Sequence, residues 1–143
     1  MNAALTNQPT TDALLGAYRS HVLGRNLPDP ATLNFCPTTR QIAVQPGAGS
    51  DLCSRLGGVL VWACTLADVT ASWWHTSDDA LHVTVSGRTA GGTRLRVYGG
   101  GPFAECCGLV SLDLDQQEGV SLDELYTLVG LLREHAQHDR EVA

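Results

Sequence analysis

The stretch Leu52–Tyr98 constrains this chain more than any other, because an apolar helical pattern runs straight into three short alternating segments. Leu52, Leu56, Val59, Leu60 and Ala63 recur at the spacing of one helical face, and Cys53, Cys64 and Leu66 widen that stripe. Ser50 is the expected N-cap, with Asp51 beside it at the positive end of the helix dipole. Gly57 and Gly58 each weaken the helix by roughly 1 kcal/mol. Close approach of a second backbone would account for them, and so would a hinge.

Beyond this helix, Val69, Ala71 and Trp73 alternate with Thr70, Ser72 and Trp74. Leu81, Val83 and Val85 alternate with His82, Thr84 and Ser86, and Leu95 and Val97 with Arg94, Arg96 and Tyr98. The short turns TSDD and RTAGGT make antiparallel pairing the expectation. A two-residue period with one apolar side predicts a sheet covered on one face only.

The flanking segments are less regular. Thr10 or Thr11 caps a first helix carrying Leu14, Leu15, Tyr18 and Val22, which Gly24 and the prolines of NLPDPAT end. LNFCPTTRQIAVQP reads as one short strand around Ile42 and Val44, held at an edge by Pro37 and Pro46. After the glycines 99–101, the segment Cys107–Leu114 reads as a fourth strand with Val110, Leu112 and Leu114 aligned. Ser121 and Glu124 form a capping box before a last helix with Leu125, Leu128, Val129 and Leu132 on its buried stripe. These elements predict a single α+β domain over residues 1–143. Its mainly antiparallel sheet of three to five strands is backed on one face by the central and C-terminal helices, with an additional N-terminal helix and flexible residues at 1–9 and 136–143.

Composition narrows the function classes. The net charge is −6 and the pI about 5.1, which disfavours nonspecific binding to phosphate backbones. All nine basic residues are Arg, in keeping with a GC-rich coding bias, so any anion site must use guanidinium groups. The five cysteines are odd in number and follow no secretory signal, so free thiols and a cytoplasmic location are expected. The longest nearly apolar run, Leu56–Ala67, is too short to cross a bilayer, and no membrane association is expected.

Catalytic and metal motifs are sparse. His135 and His138 lie three apart, but no C-x-x-C pair accompanies them, so neither a metal nor another cofactor is expected. Cys36, Cys106 and Cys107 are the thiols to weigh as nucleophiles, with His21, His75 and His82 as bases. Cys53 lies near a helix N-terminus, yet also on the flank of the buried stripe, where a small apolar residue suffices. The acids at 78–79 and at 113–124 occupy turns and helix starts that favour solvated carboxylates. There is no G-x-S-x-G elbow and no lysine for a Walker loop.

The polar sheet face is the best binding surface in the sequence. Alternation places Trp74, His82, Thr84, Arg94, Arg96 and Tyr98 together, and Trp, Tyr and Arg are the residues that dominate interface energetics. The expectation is a nonenzymatic binding or regulatory module that engages a protein partner or forms a homodimer through this face. Single-stranded nucleic acid on the same face is the alternative, opposed by the acidic charge, and a small thiol- or metal-dependent enzyme is another. A helix folded over the face would instead bury Trp74.

Overall fold

The structure, a computed structural model, describes residues 10–142. Three helices and six strands follow in the order α1 (Thr10–Val22), β1 (Pro30–Cys36), β2 (Gln41–Pro46), α2 (Leu52–Ala63), β3 (Ala67–His75), β4 (Ala80–Arg88), β5 (Arg94–Pro102), β6 (Gln117–Val120) and α3 (Leu122–Val142). A 3₁₀ turn, Phe103–Cys106, follows β5. The strands form one sheet ordered β1-β2-β5-β4-β3-β6. Neighbours are antiparallel except β2 and β5, which run parallel with Ile42 opposite Leu95 and Val44 opposite Val97. The fold is therefore α+β, with six strands instead of three to five and a mixed sheet.

All three helices lie on one side. Ile42, Val44, Leu81, Val83, Val85, Leu95 and Val97 point toward them and are buried, each worth about 1.5–3 kcal/mol of hydrophobic stabilisation. Helix α2 sits across this face, with Leu52, Leu56, Val59, Leu60 and Trp62 at 4 % exposure or less. Trp62, which the apolar stripe read from the sequence did not include, donates its indole N–H to the Pro28 carbonyl (3.0 Å). Tyr18 of α1 stacks on Trp62 and meets Phe35 of β1 edge-on, which ties the first helix to the same core. Helix α3 packs against α2 and beside Trp73 and Val110, burying Leu125, Leu128, Val129 and Leu132. Its capping box forms as expected, with the Glu124 N–H donating to Ser121 Oγ (3.1 Å) and the Ser121 N–H to Glu124 Oε1 (3.4 Å).

Several local expectations are corrected. The N-cap of α2 is Asp51, whose carboxylate accepts from the Ser54 N–H (2.8 Å). The segment read as one strand is a hairpin, because residues 37–40 turn the chain and let β1 pair with β2 along its length. Cys107–Leu114 is not a strand. Gly108 adopts φ +89° and the chain coils there, so Val110 and Leu112 reach the core from a loop. The edge strands are β1 and the polar QEGV of β6, whose Glu118 accepts from the Trp73 indole (2.9 Å), and β2 with Ile42 and Val44 is interior. Residues 136–142 continue α3, and residues 1–9 lie outside the described residues. No described helix is long and apolar enough to cross a membrane.

The glycines resolve the choice posed by Gly57-Gly58. A Cβ at Gly58 would lie 2.8 Å from Ala48 Cβ, so this position is a close approach to the chain entering α2. Gly57 has nothing within 4 Å. On β5, a Cβ at Gly99 would lie 3.1 Å from Val59, one at Gly101 3.4 Å from Leu52, and one at Gly100 2.0 Å from the Leu81 carbonyl oxygen. Gly100→Ala is expected to cost more than about 3 kcal/mol, because neither backbone can move away without breaking the β4–β5 ladder. Gly57→Ala is expected to stabilise by about 0.5–1 kcal/mol. Urea unfolding of both variants measures these opposite signs.

Candidate functional site on the open sheet face

The six residues predicted to share a face do share one. Cross-strand register pairs Trp74 with His82, Thr84 with Tyr98, and Arg88 with Arg94. They lie on the sheet face opposite the helices, and of the six only Arg94, at the start of β5, borders a cavity that the start of α1 also lines. Trp74 is 39 % exposed, against 8 % for its neighbour Trp73 on the core side. The alternative in which a helix buries Trp74 does not occur among the described residues.

A continuous row crosses three strands. The Trp74 and His82 rings meet edge-on at 6.2 Å, His82 and Tyr98 tilt together at 5.8 Å, and the Arg96 guanidinium lies 5.4 Å from the Tyr98 ring. Burial between these rings, and then the Arg96 charge, push the His82 pKa down, so the imidazole is neutral at pH 7. Arg94 and Thr84 flank the row. Beyond it, β2 turns away into α2, and Arg55 of α2 fills the gap by donating to the Gly100 carbonyl (3.1 Å). A hollow of about 430 Å³ opens there, lined by Arg55, Trp74, Asp78, His82, Tyr98 and Gly100.

Two members of this surface escaped the sequence reading. Arg88 continues the even-numbered series of β4, and extending that strand by one pair would have found it. Arg55 carries no sequence signal, since only the packing of α2 on β5 brings it to the sheet's end. The face is also electrically distinct. Its strand positions hold Arg88, Arg94 and Arg96, and the one acid in their neighbourhood is Asp68, at the bulge of β3. In a chain of net charge −6, this is a locally basic surface.

The thiols and imidazoles weighed as catalytic groups are not brought together. His21 is buried, stacked on Trp62, and bonded through Nε2 to Thr65 Oγ1 (2.8 Å). Thr65 spends its own proton on the Trp62 carbonyl, so His21 Nε2 is the donor and its Nδ1 is left as a buried acceptor without a partner. His75 is also buried and lies flat on Phe103, ring centroids 3.6 Å apart. Its Nδ1 meets the Leu112 carbonyl (3.0 Å) and its Nε2 the Asp79 carboxylate (2.6 Å). Among the described residues no histidine nitrogen bonds a thiol, and no three His, Cys, Asp or Glu side chains gather to hold a metal. His135 and His138 are exposed on α3. Cys106 is enclosed by Phe103 and its neighbours, and burial pushes its thiol pKa up to about 11. Cys36 is exposed at the end of β1, where the side chain and backbone of Thr39 hold its pKa below the ordinary thiol value.

In comparison with known proteins, the chain matches no family model, no curated protein and no solved structure.

Two measurements follow from these environments. Asp79 first, and the Leu112 carbonyl second, raise the His75 pKa above its ordinary value, because both ring nitrogens face acceptors. The protonated ring's contribution is fully present below the unfolded pKa, near 6.5, and is lost as pH rises through the folded one. Urea unfolding from pH 5.5 to 8.5 is expected to show stability from this pair declining toward the alkaline end, with the trend flattened in Asp79→Asn. For the thiols, iodoacetamide with peptide mapping is expected to label Cys36 first and Cys106 only after unfolding.

Proposed function

We propose that this domain is a binding module whose open sheet face receives an acidic surface of a protein partner. The observation that carries the reading is the uncovered row Trp74–His82–Tyr98–Arg96, set in a face that is basic on an otherwise acidic chain. Trp74 would be the anchor, since a large half-exposed ring gains most from being desolvated by a partner. Arg94 and Arg96 would set the partner's charge, and Thr84 and His82 would supply neutral hydrogen-bonding groups between them. Six strands at about 4.8 Å spacing, up to nine residues long, make a face of roughly 24 by 30 Å, close to the ~800 Å² per side of a specific interface.

Single-stranded nucleic acid is the second reading, favoured by the three rings in line and opposed by the net charge of −6. A salt-dependent rise in fluorescence polarisation of a labelled oligonucleotide would select it.

The test is native mass spectrometry of the protein purified gently from its own host, with Trp74→Ala, Arg96→Glu and the helix-side control Tyr126→Ala alongside. The wild type is expected to carry a second polypeptide above its 15.2 kDa. Trp74→Ala should weaken that assembly by about 2 kcal/mol or more, with less than about 1 kcal/mol lost in folding stability. A doubled mass lost in the same two variants would give the face to a second copy. A bare monomer, or an assembly indifferent to both substitutions, overturns the reading.

A further inference from the structure

We infer that the cavity between the β1–β2 turn, the β4–β5 turn and the start of α1 is a binding site for a diphosphate group. It measures about 550 Å³, and Arg40, Arg88, Arg94, Thr39 and Thr93 line it above a floor that includes Leu14. This volume is within the ordinary range of small-molecule sites, about 300–1,000 Å³. Among the described residues no acidic side chain is part of its walls. The site shares Arg94 with the proposed partner face but does not depend on that reading, since the aromatic row lies farther along the strands.

Topology brings the arginines to one end of the sheet. The parallel pairing of β2 with β5 sets Gln41 opposite Arg94 and so brings Arg40 beside it, while the β4–β5 hairpin sets Arg88 directly across from Arg94. Like charges directly opposed on a sheet are destabilising. No described acidic side chain neutralises them, and among the described residues Arg88 has only the Gly92 carbonyl (3.3 Å) as a partner for its guanidinium. Within 4 Å, the one ion pair among the described residues is His75–Asp79, on a different turn. Asp68 lines the adjoining groove with Arg88 and Arg94 without reaching ion-pair distance. Residues 1–9, which precede the cavity's edge at Thr10, contain no acidic side chain. Arg40 is further held at φ 54°, a left-handed conformation that a non-glycine residue adopts at a cost.

The chemistry of the donors selects the ligand class. One carboxylate satisfies one guanidinium fork, whereas three arginines lining one cavity suit a ligand with several oxygens and more than one negative charge. A diphosphate supplies both, and the hydroxyl of Thr93 adds a donor for a remaining oxygen, while that of Thr39 already serves the Cys36 thiol. The N-terminal end of α1, at Thr10, adds the positive pole of a 13-residue helix. Among the described residues no aromatic ring lines the cavity, so recognition falls on the anion and not on a stacked base. The diphosphate can accordingly be free in solution or part of an ester.

The experiment is isothermal titration calorimetry and thermal unfolding with inorganic pyrophosphate, against sodium chloride at matched ionic strength, on wild type, Arg40→Gln and the double variant R88Q/R94Q. Saturable one-to-one binding that raises the wild-type Tm is expected. Binding should weaken at least about tenfold in R88Q/R94Q, with a measurable weakening in Arg40→Gln. Because the double variant also loses the Arg88 bond to the Gly92 carbonyl (3.3 Å), the readout is its Tm shift on adding pyrophosphate, which should vanish, and not its unliganded Tm. Adenosine diphosphate separates the two sources: equal binding assigns the diphosphate of an ester, and exclusion assigns the free anion. Heat that fails to saturate, or equal affinity in R88Q/R94Q, overturns the site.

Discussion

The close seating of α2 on β5 is the contact from which the rest of the arrangement follows. Gly99 and Gly101 leave no side chains between helix and strand, so Val59 and Leu52 reach the strand's backbone directly. Gly58 allows the chain entering the helix to pass beside it, and Arg55 crosses back to the Gly100 carbonyl. With α2 fixed, Trp62 projects toward the N-terminal half and gives α1 its stacking partner. The opposite side of α2 offers α3 its bed. One tightly placed helix thus determines where the other two pack, and all three end up on one side.

That one-sided packing has an electrostatic counterpart. Burial of the apolar residues of β2 to β5 uses every described helix, so the other face of the sheet must be compatible with water or with a partner. It is compatible with both: threonines, serines and glutamines hydrate well, while Trp74, Tyr98 and the arginines offer large surfaces for a second molecule. The basic residues gather toward the ends of β4 and β5 where two turns meet, and the aromatic row lies nearer the glycine end. The face is graded along its strands, charge at one end and rings at the other.

How much of this was legible depended on how local the determining contacts are. The segment β3 to β5 was readable because alternation fixes which side chain faces which way, and the short turns leave antiparallel pairing as the simple closure. That is why Trp74, His82, Thr84, Arg94, Arg96 and Tyr98 could be grouped before any geometry was known. β1 was hidden, since PATLNFC alternates weakly and begins at a proline. β6 was hidden more deeply: QEGV has no apolar pattern, and what recruits it is the pairing with β3, reinforced by the bond from the Trp73 indole to Glu118. The parallel β2–β5 pair joins residues far apart in the chain, which no local period encodes. For the same reason the meeting of Arg40 with Arg88 and Arg94 could not be read from their spacing.

The β2–β5 pairing also imposes an order on assembly. Ile42 has its antiparallel partner Phe35 within a few residues, but its other edge must await Leu95. During synthesis the first hairpin therefore emerges with one hydrogen-bonding edge open and its apolar side uncovered, while α2, β3 and β4 are still being added. Closing so long a loop is entropically slow compared with forming the β3–β4–β5 meander. The meander is consequently the natural nucleus, and the N-terminal hairpin the late arrival. Until it docks, the β5 edge is an adhesive strand that a neighbouring nascent chain could occupy in its place, so the rate of that last step sets the chain's exposure to misassembly.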